Sequence, residues 1–271
     1  MEFNVELRDV QRTILYIFKE IIRVCNENDI SYFIIGGTAL GAVRHGGFIP
    51  WDDDLDIGMT RKNYNKFLSI AKDKLPDELF LQTVETETES PFYFAKVRKN
   101  KTKFVECYCK KLKIHHGVYV DIFPYDNIPD DPKLRKQHNN IVSFWSNLFI
   151  AKCVTGSSVP QKGIKGKFKL FLRMVAHIIL IPISKKFLFK KLDLATQKYN
   201  DIPCTMKSYV KYPYLMIPSS DLDDLETIEF EGFNVKCPKN IKKYLKNHFG
   251  DFMTLPKENQ RIGHRPYKLE L

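Results

Sequence analysis

The chain has 271 residues and is 44% hydrophobic, 28% charged and 13% aromatic, which supplies a sizeable core and excludes disorder as its main state. Its formal charge is +11, and the excess lies in the middle: residues 101–200 hold 19 Lys and Arg against 6 Asp and Glu, whereas 1–100 hold 13 against 16 and 201–271 hold 11 against 10. A basic face of that kind suits a nucleotide, a nucleic acid, an anionic glycan or an anionic membrane surface, or is a solvated lysine-rich surface; charge alone does not choose.

Val10, Leu15, Phe18, Ile21, Ile22 and Cys25 recur at helical spacing, so residues 5–27 are predicted to form an amphipathic helix. Residues 31–35 read as a buried strand running into Gly36 and Gly37, with a short helical turn over 38–44. After the Gly46–Gly47 loop, Trp51 precedes the acidic run Asp52, Asp53, Asp54, and Leu55, Asp56, Ile57 and Gly58 alternate as a strand does. A helix is expected over 61–73, then strands over 79–84, 93–98, 102–108 and 118–123 in a mixed sheet. The segment 132–200 turns helical, interrupted by a Gly-, Ser- and Lys-rich loop at 155–166 that reads as mobile, and a helix recurs near 241–248. The expected class is α/β (α+β): a core over 1–130, and a helical and irregular accessory part over 131–271 that packs on it and completes the site.

The six cysteines are scattered and the first ten residues lack the apolar stretch of a secretory signal, so the thiols are read as reduced and the protein as cytoplasmic. Cys107 and Cys109, with His115 and His116 nearby, fall short of zinc-site spacing and sit in a segment that also reads as a strand pair. The apolar run 168–189 is broken by Arg173 and by Lys185 and Lys186, too soon for a bilayer-spanning helix of about 20 residues. It is either a core helix with basic flanks or an interfacial helix lying on a membrane's inner face.

Chemistry is written where the strand meets Gly36, Gly37 and Thr38 and the next strand presents Asp54 and Asp56. Strand residues two apart share a face, so the two carboxylates project together, an arrangement that suits Mg²⁺, which borrows further ligands from substrate phosphates. The glycines allow close approach of backbone N–H groups to a phosphate. Asp121 alternates with Val118, Val120 and Ile122, which places it on the face opposite the core, for the metal or a substrate hydroxyl, unless it only starts a turn before Pro124.

The blocks GGTALGAVRHGGFIPWDDDLDIGM (36–59), FAKVRKNKT (94–102), HHGVYVDIFPYD (115–126) and FGDFMTLP (249–256) resemble the LicD family of phosphocholine transferases, in the nucleotidyltransferase superfamily and related to fukutin and the fukutin-related protein. The resemblance covers most of the chain and is weakest over 140–210. It implies transfer of a phospho-alcohol, phosphocholine first, from a CDP-alcohol donor to a sugar hydroxyl of a surface or lipid-linked glycan, releasing CMP. By resemblance Asp54, Asp56 and Asp121 take the metal and catalytic roles, with Mg²⁺ or Mn²⁺; Asp52, Asp53 and His264 receive none.

Lys96 and Arg98, two apart on one strand, are candidates to hold phosphate or the CMP leaving group, or are cations on an exposed sheet face. Arg44 and His45 are further candidates for substrate binding. Trp51 is either a wall for a choline cation or an anchor for the acidic loop. Two rival readings remain: a nucleotidyltransferase acting on a nucleoside triphosphate, and a basic protein that binds glycans or nucleic acid. Nothing resembles a known nucleic-acid module, and an acidic cluster in the cleft would repel a phosphate chain.

Overall fold

A computed structural model describes residues 5–154, 163–209 and 216–271. The N-terminal periodicity forms α1 (Leu7–Glu27), whose stripe through Ile14, Ile17, Phe18, Ile21 and Val24 is buried. There follow β1 (Phe33–Ile34), α2 (Gly36–His45), β2 (Asp56–Thr60), α3 (Arg61–Lys74), β3 (Leu79–Gln82), β4 (Ala95–Lys99), β5 (Lys103–Val105) and β6 (Tyr119–Ile128). Then come α4 (Pro132–Cys153), α5 (Gly163–Ile179), α6 (Lys185–Thr196), β7 (Met206–Ser208), β8 (Ile217–Pro218) and α7 (Ser219–Asp223). The described chain ends with the hairpin β9 (Glu226–Phe230) and β10 (Phe233–Cys237), α8 (Ile241–Phe249) and β11 (Lys268–Glu270). This is the mixed α+β architecture expected from the sequence.

The main sheet runs β1-β2-β6-β4-β3, with β7 on the far end of β6 and β8 on β7. Only β2 and β6 run parallel among its pairs. β6 has neighbours on both edges and is buried along its length. Its alternate residues Val120 and Ile122, with Ile57 of β2 and Val97 of β4, make the apolar face that α1 and α3 cover. At the entry to α3, Arg61 pairs with Asp126 of β6 at 2.5 Å and with Asp193 of α6 at 3.0 Å, fixing helix, sheet and α6 together. The opposite face carries the polar Asp56, Asp121 and Lys96 together with the buried aromatic Tyr119, Phe123 and Tyr125.

Among the described residues, most buried apolar side chains fall into two clusters. The larger draws on residues 10–125 and again on 217–245, so β8 to α8 return to the first core. The smaller joins Val84 to α4 and α6, with Leu180 between α5 and α6. α4 starts where Asp131 accepts from the N–H groups of Lys133 and Leu134 and Pro132 occupies the first turn.

One expectation is corrected and one open reading is narrowed. The strand predicted over 102–108 stops at Val105 and pairs with β11, because the Glu106 carboxylate is drawn inward by Lys96 and Arg98 and the chain turns. In that turn Cys107 is exposed and Cys109 buried, so the sulfurs do not converge; among the described residues no cysteine belongs to a group of three possible metal ligands. The segment 168–189 is not a core helix: it is split between α5 and the start of α6, and Phe168, Phe171, Leu172, Ile179 and Phe187 are all exposed, α5 packing along one side among the described residues. The loop expected over 155–166 lies outside the described residues up to 162, and α5 already begins at Gly163.

Candidate active site

Three adjacent strands build the polar face. Asp56 of β2 stands in register with Asp121 of β6, and Asp121 in register with Lys96 of β4. Residues in register on neighbouring strands project to the same side, so the sheet carries a row of carboxylate, carboxylate and ammonium. Asp54 enters just before β2, where the carbonyl of Leu55 accepts from the N–H of Asp121 at 3.0 Å and extends the ladder.

The Gly36–Gly37–Thr38 segment borders this row. The N–H of Asp56 donates to Thr38 Oγ1 at 2.8 Å, and the N–H of Gly36 to the Tyr244 hydroxyl at 2.9 Å. A Cβ on Gly37 would stand 2.9 Å from Asp52 Oδ2, and one on Gly36, whose φ is +55°, would stand 3.4 Å from Asp56 Oδ2. The glycines therefore let two carboxylates lie against the first turn of α2, whose free N–H groups favour negative charge.

Lys96 and Arg98 are not surface cations; they are 1% and 0% exposed. Lys96 Nζ lies 2.8 Å from Asp121 Oδ1, 3.1 Å from its Oδ2 and 3.6 Å from Glu106 Oε1. Its charge sits 3.6 Å from the centre of the Tyr119 ring and 4.3 Å from that of Phe92, cation–π contacts that offset part of its desolvation. Arg98 donates from Nε to Gln82 Oε1 at 2.6 Å and from Nη1 to the Gly117 carbonyl at 2.7 Å, and its Nη2 lies 3.4 Å from Glu106. Full burial takes Arg98 away from any ligand and makes it the holder of Glu106 and the 117 turn. Burial alone would raise Glu106, but the Lys96 and Arg98 charges outweigh it and hold its pKa low.

Arg44, His45 and Trp51 gather at the other end of α2. Arg44 Nη1 donates to the Phe252 carbonyl at 3.0 Å, and the guanidinium groups of Arg44 and Arg261 lie 6.0 and 5.4 Å from the Trp51 ring centre. Two cations beside the indole argue against a choline wall there; Trp51 anchors the acidic loop to the C-terminal tail. Burial and the nearby Arg261 lower the Arg44 pKa.

Arg261, Glu106 and His264 are the residues that sequence reasoning missed, and His264 is the most tightly engaged. Its N–H donates to both Asp53 oxygens at 3.0 Å, and its Nδ1 lies 2.7 Å from Asp53 Oδ1 and 3.6 Å from Asp54 Oδ2. The hydrogen bond to Asp53, with the Asp54 charge, pushes its pKa up to about 10. Asp52, Asp53 and His264 offer ligand atoms within 4.8 Å of one another, and the contacts of His264 with Asp53 and Asp54 tie the tail to the loop.

Asp56 has no ion-pair partner among the described residues, and burial with repulsion from Asp54, Asp121 and Asp52 raises its pKa well above the carboxylate range. Burial also raises Asp54, takes Asp52 up to about 7 with the Asp54 charge, and takes Asp121 to about 6 despite Lys96. Asp121 Oδ1 is buried and accepts no well-formed hydrogen bond, although Lys96 stands close to it. Asp54, Asp56 and Asp121 are oxygen donors with surplus negative charge and one under-satisfied buried oxygen, the chemistry a divalent cation takes, whereas among the described residues the group whose ligand atoms already lie within 4.8 Å of one another is Asp52, Asp53 and His264.

These shifts set a pH dependence. A carboxyl whose folded pKa is raised favours the native state at low pH, and that advantage is lost as pH climbs through the folded value. The melting temperature in chelator is therefore expected to fall between about pH 4 and 7, from the ordinary carboxyl value of 3.8 up to about 6 for Asp121 and about 7 for Asp52. Asp56→Asn should flatten that decline; an equally steep one would show that the decline does not come from this cluster.

An α+β protein with a carboxylate row beside a glycine-led helix is the class these observations define. Residues 29–149 match the LicD/FKTN/FKRP nucleotidyltransferase domain. It is 28% identical over 263 residues, 95% of each chain, to the lipopolysaccharide cholinephosphotransferase LicD of Haemophilus influenzae. Over 53 residues, 20% of this chain and 10% of the relative, it is 40% identical to the human ribitol 5-phosphate transferase FKRP. A 54-residue stretch, 20% of this chain, is 46% identical to 18% of an uncharacterized protein of Rickettsia typhi. The named relatives are both transferases of a phosphorylated alcohol.

Proposed function

We propose that this protein is a phospho-alcohol transferase that moves phosphocholine from CDP-choline to a sugar hydroxyl of a cell-surface glycan and releases CMP. The observation that carries the reading is the row Asp56, Asp121, Lys96 with Asp54 beside it, in a chain similar along 95% of its length to a cholinephosphotransferase. A bound Mg²⁺ or Mn²⁺ would neutralise the donor's diphosphate and stabilise the departing CMP. The chain's own residues do the rest. The attacking hydroxyl's oxygen bonds to the choline-bearing phosphorus as its proton passes to Asp121 or, where Asp121 instead holds the cation, to solvent. The bond from that phosphorus to the bridging oxygen breaks, and the electron pair leaves with CMP. Lys96 keeps Asp121 in place, and Arg44 and Arg261 supply positive charge at the end of α2.

The test is incubation of the protein with Mg²⁺ and a panel of CDP-alcohols, with CMP followed by chromatography and slow hydrolysis standing in for transfer where no acceptor is supplied. CMP release that is fastest with CDP-choline is expected, and EDTA should abolish it. Pyrophosphate release from a nucleoside triphosphate, without CMP from any CDP-alcohol, would replace this reading with nucleotidyl transfer. Magnesium-independent, salt-sensitive binding of nucleic acid or an anionic glycan, with neither product, would point to a binding protein.

A further inference from the structure

α5 carries apolar side chains on two opposite sides, and among the described residues one side is covered. Inward, Ala176 packs on the smaller cluster, Leu180 is buried just beyond the helix, and His177 Nδ1 makes a 2.9 Å hydrogen bond with the Ala151 carbonyl. Outward, Phe168, Phe171, Leu172, Ile178 and Ile179 are 60, 55, 50, 60 and 66% exposed. Their spacing puts them in a single stripe of the helix. Beyond α5, Ile181 and Phe187 are exposed as well. A run of large apolar side chains of this extent facing water marks an interaction surface.

Charge tells what covers it. Residues 163–192 hold eight Lys and Arg and no Asp or Glu. Two copies meeting through this segment would bring like charge against like charge, which disfavours self-association. No helix among the described residues is long and apolar enough to cross a membrane. A short helix with an aromatic and aliphatic stripe, set in a basic segment, lies in the headgroup region of a bilayer, apolar side down, with its cations on anionic lipid.

We propose that α5 and the start of α6 dock this protein on an anionic bilayer surface, with Phe168, Phe171, Leu172, Ile178 and Ile179 inserted and Lys186, Lys190 and Lys191 on the headgroups. The inference stands on exposure and charge and does not depend on the transferase reading.

Co-sedimentation of the full-length protein with vesicles of phosphatidylcholine alone or with added phosphatidylglycerol tests it. Binding to the phosphatidylglycerol vesicles at low salt and release at high salt are expected. Replacing Lys186, Lys190 and Lys191 together by Gln should weaken that binding about a hundredfold. Phe171→Ser with Ile178→Ser should weaken it by about a hundredfold or more. All five side chains are exposed, so an unchanged melting temperature serves as the folding control. Equal binding to both vesicle types, or none, overturns the proposal. So does a dimer in solution that the two serines disperse, which would show that a second copy covers the stripe.

Discussion

Asp54→Asn and Asp56→Asn are each expected to reduce transfer by about a thousandfold or more, because each removes an oxygen ligand of the cation that would stabilise several kcal/mol of charge on the reacting phosphates. The fold should persist. Asp56 donates only its backbone N–H to Thr38, its side chain has no ion-pair partner among the described residues, and Asp54, Asp121 and Asp52 all repel it. Removing one charge relieves that repulsion, so metal-free Asp56→Asn should melt no lower than the parent, and higher near pH 8. CMP release, magnesium binding by calorimetry and thermal melting in EDTA would separate the effects. A folded Asp56→Asn protein with near-parental turnover would remove Asp56 from the catalytic assignment.

The carboxylates were legible in the sequence and their assembly was not. The alternation of Asp121 with Val120 and Ile122 is a local fact of strand geometry, readable from a single segment, whereas the strand expected to carry both Asp54 and Asp56 begins only at Asp56. That Asp56, Asp121 and Lys96 form one row depends on which strands neighbour β6 and in which register, and those pairings join segments tens of residues apart. Lys96 and Arg98 share a face as their spacing implies, but Glu106, Tyr119 and Phe92 decide that the face is buried around them. His264 and Arg261 lie in an irregular tail with no periodicity to place them. For α5 the difficulty is reversed: a helix apolar on both sides reads from sequence as a core element, and only the absence of packing on one side in the described structure distinguishes it.

Lys96→Gln is expected to be the most destabilising single change at the site. Lys96 is the cation shared by Asp121 and Glu106, 1% exposed and enclosed by the Tyr119 and Phe92 rings. Deleting one member of a buried charge group leaves its partners uncompensated, at a cost of about 3–5 kcal/mol. Part of that loss should return in Lys96→Gln with Glu106→Gln, which removes a stranded carboxylate along with the ammonium. The recovery in denaturant unfolding measures their coupling. Activity should fall too, because Asp121 would be held neither in position nor in its charge state. Asp121→Asn then separates two roles. If its carboxylate chiefly ligates the cation, magnesium affinity weakens with the rate; if it chiefly takes the hydroxyl proton, affinity holds and the rate alone falls by roughly a hundredfold to ten-thousandfold. A Lys96→Gln protein that is as stable as the parent and equally active would show that Asp121 needs no fixed cation, and would leave the Asp56–Asp121 pair as the working unit of the row.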